Sequence, residues 1–112
     1  MSEITDEHML EMLAQTKSYT LMVLRQGPNY ESPGRDQIVW EHGRRNFELR
    51  AAGTLAIVCP VFDDTALCGI GIFDASEDEV AALMAADPGV QAGVFEYDVH
   101  PVRGFPGSAL PA

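Results

Sequence analysis

Residues 54–61, TLAIVCPV, are apolar from Leu55 onward. A strand of this kind has no side that prefers water, so it needs cover on both faces. The turn residues FDDTA lead from it into ALCGIGIF at 66–73, and the two runs predict an antiparallel hairpin. A chain built around such a hairpin has to supply, or recruit, a layer on each side of it.

The remaining segments arrange themselves about that hairpin. EITDEHMLEMLAQ (3–15) has helical spacing with acids in its first turn, and it predicts a short amphipathic helix. YTLMVLRQG is a β-rich run stopped by Gly27-Pro28, and PNYESPG is a loop. RDQIVWEHGRRNFELRAA (35–52) is a helix with Gly53 at its C-terminal cap. Ser76 and Glu79 form a capping box for SEDEVAALMAA, and Pro88 ends that helix near Ala86. GVFEYDV is the last strand, and HPVRGFPGSALPA is a Pro/Gly-rich tail.

After the leading helix the order is therefore β-α-β-β-α-β. The predicted fold class is α+β, the ferredoxin-like split βαβ, with four antiparallel strands and both main helices on one face. Residues 1–16 read as an N-terminal helical extension and 17–112 as one α+β domain with its tail. The two main helices cover one sheet face only, so TLAIVCPV needs a second cover. The N-terminal helix is one candidate. A second copy of the sheet is the favoured one, because one short helix would leave much of a four-stranded face bare.

The bulk properties narrow the partners. At 112 residues the chain has the length of one domain, and no apolar run approaches the ~20 residues of a membrane span. The acidic start MSEITDEH is unlike a secretory leader, which points to the cytoplasm. A net charge of -10, with no local cluster of Lys and Arg, argues against nucleic acid and favours solubility. Cys59 and Cys68 flank the turn as two thiols, with a disulfide across the hairpin the less favoured alternative. The three histidines lack ligand spacing, the GIGIFD run lacks the rest of a phosphate loop, and no Gly-x-Ser-x-Gly elbow occurs, so no metal or other cofactor is expected.

Polar residues on inward faces are what remain to be explained. A wheel for 35–52 places Ile38, Val39, Trp40, Phe47 and Leu49 on one side, with Gln37, Glu41, Arg44, Arg45 and Glu48 opposite. His42, Asn46 and Arg50 fall within the apolar half at i, i+4, i+8 and line one strip. His42 is either a core histidine satisfied by a backbone carbonyl or part of a polar strip bordering a pocket. In the second helix Asp87 continues the stripe of Val80, Leu83 and Met84. It is either an Asx-turn residue bonding the loop after it, or a carboxylate sharing a cleft with His42. An imidazole beside a carboxylate is a workable general base at neutral pH.

ASEDEVAALMAADPGVQAGVFEYDVHPV resembles the closing signature of the YCII-related domain, and EHGRRNFELRAAGTLAIVCPV is similar to that family's first helix and second strand. The likeness spans roughly residues 19 to 102, with His42 at the characteristic histidine and ADPGVQAGVF as the most specific part. The resemblance implies a ferredoxin-like protomer paired sheet to sheet into a dimeric α+β barrel, with His42 and Asp87 as a histidine–aspartate pair in a cleft. It also implies cytoplasmic residence and, for some members, cofactor-free lyase chemistry on small hydroxylated rings. Cys59-Pro60 stands where many members have Gly-Pro, Val39 stands at an often basic place, and the N-terminal helix is an addition.

The expectation is a cofactor-independent acid–base enzyme of lyase or isomerase type. His42 would move the proton, Asp87 would orient it, and Asn46 or Arg50 would bind an anionic or phenolic oxygen. The expected partners are a second copy of the chain and a small-molecule ligand, with no nucleic acid and no membrane. A non-catalytic binding module and a purely structural dimer are the rivals.

Overall fold

The computed structural model describes residues 3–112. In chain order it contains α1 (Asp6–Ala14), β1 (Lys17–Gln26), α2 (Arg35–Ala51), β2 (Leu55–Pro60), β3 (Leu67–Phe73), α3 (Glu77–Ala85), α4 (Pro88–Gln91) and β4 (Phe95–Gly104). The four strands form one antiparallel sheet in the order β2-β3-β1-β4. This is the ferredoxin-like arrangement, with the hairpin at one side and the chain's first and last strands paired at the other.

Local signals set the element ends. Thr5 caps α1 by accepting from the His8 N–H, and Ser76 with Glu79 forms the reciprocal capping box of α3. Gly53 takes a positive φ of 81° just past α2. Two boundaries differ from expectation. Residues 88–91 are a helical turn rather than loop, because Asp87-Pro88 is a good start signal: an acceptor at the cap, then proline at the first helical position. β4 also runs through Pro101 to Gly104 instead of stopping at Val99. The missing proline N–H is tolerated because β4 is an edge strand.

The core lies between the helices and one sheet face, built from Met22, Leu24, Leu55, Phe73, Val80 and Met84 with Val94 and Phe95. β1 alternates accordingly: Thr20, Met22 and Leu24 are buried, with half-buried residues between them. On α2 the inward stripe is Ile38, His42, Arg45 and Leu49, whose spacings of four, three and four fit a helix turning about 100° per residue. Trp40 and Phe47, which the wheel places inward, are 67% and 69% exposed. Both lie roughly half a turn from Ile38, so the direction in which α2 packs leaves them outside.

The other sheet face carries Leu21 and Val23 from β1, beside Ile72 and Ile70 of β3, beside Ile57 and Cys59 of β2. None of these six belongs to the core cluster. Across β4 the same face becomes polar, with Asp98 opposite Val23 and His100 opposite Leu21. There the Arg25 guanidinium bonds Asp98 at 3.0 and 3.1 Å and holds that carboxyl below its ordinary range. α1 has no buried residue. The described chain therefore leaves an apolar sheet face without a helical layer.

One close approach fixes the loop between α4 and β4. Gly27 donates to the Val94 carbonyl at 2.7 Å, Asn29 donates to Gly93 at 2.8 Å, and the Asn29 amide donates to Ala92 at 2.9 Å. A Cβ at Gly27 would overlap the Gly93 carbonyl oxygen, which is backbone and cannot swing aside. Gly27→Ala should therefore lower stability by about 1–3 kcal/mol, read as a lower urea midpoint at unchanged m-value.

Candidate active site

His42 and Asp87 come together although 45 positions separate them. α2 presents the imidazole from its inward stripe. The turn between α3 and α4 presents the carboxylate, because Asp87 has left the helical region (φ -68°, ψ 134°) to act as the cap of α4. His42 Nδ1 lies 2.9 Å from each Asp87 oxygen. His42 is 7% exposed and Asp87 0%.

The carboxylate works in two directions at once. Its Oδ2 accepts the Gly89 N–H at 2.9 Å and the Val90 N–H at 3.3 Å, the orphan donors of the α4 start. The same group faces His42. Asp87 is therefore at once the local cap of α4 and a neighbour of His42. Arg45 places Nη1 3.8 Å from Oδ1, and that buried nitrogen has no hydrogen-bond partner among the described residues. It acts as a nearby positive charge rather than a hydrogen-bond donor to the carboxylate. The sequence reading sets Arg45 in the outer arc, although seven residues at about 100° each return it to the side of Ile38. The spacing Ile38, His42, Arg45, Leu49 is the signal that it faces inward.

An ionised carboxylate only accepts, so the His42 Nδ1 carries the proton of that hydrogen bond. In the neutral ring Nε2 is then the acceptor, and the Asn46 amide nitrogen lies 3.2 Å from it. Phe95, at the start of β4, packs its ring 4.8 Å from the imidazole at 54°, closing one side. Gly89 has to be small here, since a Cβ would strike the Phe95 ring and come within 3.0 Å of Asp87 Oδ2. Phe95 is not singled out by the sequence, where it reads only as the start of an apolar strand.

Beside this network is a cavity of about 660 Å³ between α2 and the sheet. Met22, Leu24, Val39, Val58 and Phe95 make it largely apolar. Gly43 on α2 and Gly69 on β3 also line it, so side-chain volume is absent from both elements there. Its polar lining from α2 is the strip His42, Asn46 and Arg50. The strip grades outward: His42 is buried, Asn46 half-buried and Arg50 exposed. All four residues singled out from sequence thus lie at one place, with Asp87 behind His42 and Arg50 at the mouth rather than in contact with the pair.

Cys59 and Cys68 also line the cavity and both are free thiols. Burial pushes the Cys68 thiol above its ordinary range, which keeps it protonated at neutral pH. Among the described residues no group of three or more His, Cys, Asp or Glu is placed to hold a metal ion. No helix among them is long and apolar enough to cross a membrane.

The topology and the packing of α2 and α3 define a ferredoxin-like α+β domain with its polar network in the helix–sheet seam. Within that class, the YCII-related domain matches residues 7–103, and the chain belongs to that family. The match reaches back into α1. No functionally curated protein matches the chain. Among solved structures the chain is similar to 5-chloro-2-hydroxyhydroquinone dehydrochlorinase (TftG) from Burkholderia phenoliruptrix AC1100, solved in complex with 2,5-dihydroxybenzoquinone. The two are 21% identical, over 72% of this chain and 90% of that one, with a TM-score of 0.48.

The hydrogen-bond pattern makes a direct spectroscopic prediction. In long-range proton–nitrogen spectra of the neutral ring, His42 should appear as the Nδ1–H tautomer, and Asp87→Asn should disturb that pattern. Asp87→Ala, which strands the α4 donors and the Arg45 charge, should cost about 3 kcal/mol of unfolding free energy.

Proposed function

We propose that this YCII-family protein is a cytoplasmic, cofactor-independent acid–base enzyme of lyase or isomerase type, acting on a small organic molecule with a hydroxylated ring. His42 takes and returns a proton through Nε2. Asp87 holds the ring in the Nδ1–H tautomer and stabilises the imidazolium as it forms. Asn46 and Arg50 bind an anionic or phenolic oxygen, on which charge develops during elimination or isomerisation.

The observation that carries this reading is the Asp87–His42–Asn46 chain, whose last two members line a cavity of about 660 Å³. Cavities of roughly 300–1,000 Å³ with few polar groups are ordinary small-molecule sites. The gradient along the strip orients a ligand. An apolar ring gains most against Leu24, Met22 and Phe95, while an anionic end keeps its solvation near Arg50.

The test is conversion in heavy water. Incubation with a set of hydroxylated aromatic acids and phenols should yield product, or solvent deuterium on a ring-adjacent carbon of recovered ligand. His42→Ala should slow this by about 10²–10⁴-fold, measured at a temperature where circular dichroism shows the variant still folded, since it also removes a partner of buried Asp87. Equal turnover by His42→Ala removes the idea.

One observation favours a binding module instead: Asn46 already lies at Nε2, the atom a catalytic base needs free. That reading expects ligands to raise the melting temperature and to be recovered without deuterium.

The same proposal includes a homodimer formed through the sheet face of Leu21, Val23, Ile57, Cys59, Ile70 and Ile72. An apolar face with no helical layer supports it. Sedimentation should give twice the 12.2 kDa chain mass. Ile70→Glu should give a folded monomer, because Ile70 lies outside the core. A monomeric wild type would refute the pairing.

A further inference from the structure

The family match stops at residue 103, and the chain does not. β4 ends at Gly104, and Phe105–Ser108 then make a tight reversal. The Ser108 N–H donates to the Phe105 carbonyl at 3.1 Å, with Gly107 at a φ of 88°. Proline second and a positive-φ glycine third is the pattern of a type II turn, so residues 105–108 preset the path of the last four residues. That path meets the site: Ser108, Ala109 and Leu110 line the same cavity as His42 and Asn46.

These residues contribute little to holding the fold. Every residue from 105 to 112 is exposed and none belongs to the core cluster. Leu110 keeps 68% of its surface accessible although it borders an apolar hollow. A large apolar side chain placed at a cavity by a stiff turn, yet not packed, is positioned to close on whatever enters. Two prolines, Pro106 and Pro111, restrict the segment further.

We infer that Ser108–Leu110 form a wall of the ligand site, and that Leu110 sets the size of ligand admitted. The inference rests on the proposed use of the cavity as the ligand site, and it gives this chain a specificity element outside the family match. With the tail in place the site favours a single ring with an acidic substituent over a fused ring, which has to press against Leu110. Ser108 adds a hydroxyl that can pair with a ligand oxygen at the tail side.

The experiment compares the full chain, a chain ending at Gly104, and Leu110→Ala. Cys68 serves as the reporter inside the cavity, in chains that carry Cys59→Ser so that a thiol on the proposed dimer face does not contribute. Removing the tail should speed its alkylation by a bulky fluorescein maleimide at least about fivefold, while the rate with iodoacetamide changes by less than about twofold. Calorimetric titration with para-hydroxybenzoate and a hydroxynaphthoate gives the second readout. The full chain should prefer the single ring by about tenfold or more, and the chain ending at Gly104 should lose that preference, with Leu110→Ala between them. Unchanged maleimide rates, or a ring preference that survives tail removal, overturns the inference. The catalytic reading fails separately: a tail-dependent preference in a protein whose turnover is indifferent to His42→Ala keeps the wall and discards the chemistry.

Discussion

A carboxylate with no solvent exposure costs several kcal/mol unless donors and a counter-charge surround it. Asp87 is such a group, and the architecture around it answers that cost. α4 is only one turn long, yet its first N–H groups point at Oδ2. α2 sends His42 Nδ1 to both oxygens and brings Arg45 near Oδ1. Phe95 and Gly89 then fit against the assembled network without room for another methyl group. Three separate pieces of chain, α2, the α3–α4 turn with α4, and the start of β4, are tied together around one buried charge. The α3–α4 turn and the inward stripe of α2 are thus two halves of one constraint.

The split βαβ order is legible in the sequence because its elements are separated by strong local signals, such as Gly53, the Ser76–Glu79 box and the FDDTA turn. Asp87 is legible as an oddity for a geometric reason, since seven residues after Val80 is the same helical face. Its two readings compete only if each is imagined to use the whole side chain. A carboxylate has two oxygens and about four acceptor directions, so both geometries hold at once.

The hidden part depends on how α2 rolls against the sheet. Grouping α2 by residue chemistry sends a guanidinium outward and two aromatics inward, although the 100° step puts Arg45 beside Ile38 and both aromatics opposite it. The observed stripe reverses both assignments, because packing chooses the face that brings Ile38 and Leu49 to the core. Arg45 can follow them inward only because Asp87 is there to face it. The spacing from Ile38 to Leu49 allows that inward position, and the buried carboxylate makes it tolerable for a charge. The end of β4 is hidden for a related reason: Pro101 reads as a strand breaker unless the strand is known to lie at an edge.

Fold and proposed function share Asp87 but divide beyond it. Removing the carboxylate disturbs the α4 cap, the histidine tautomer and the Arg45 counter-charge together, so its variants report stability and site geometry mixed. Asn46 and Arg50 stand apart from that knot, the one half-buried and the other exposed on the cavity side of α2. The Asn46–Nε2 contact, at 3.2 Å, is of ordinary strength, and a neutral hydrogen bond contributes about 1 kcal/mol net. A ligand hydroxyl that takes its place restores an equivalent bond to the imidazole and leaves the amide free to bond the ligand as well. The exchange at Nε2 is therefore nearly neutral in energy. Under the proposed function Asn46 would then be a stopper that keeps the lone pair satisfied until a ligand arrives, compatible with base chemistry.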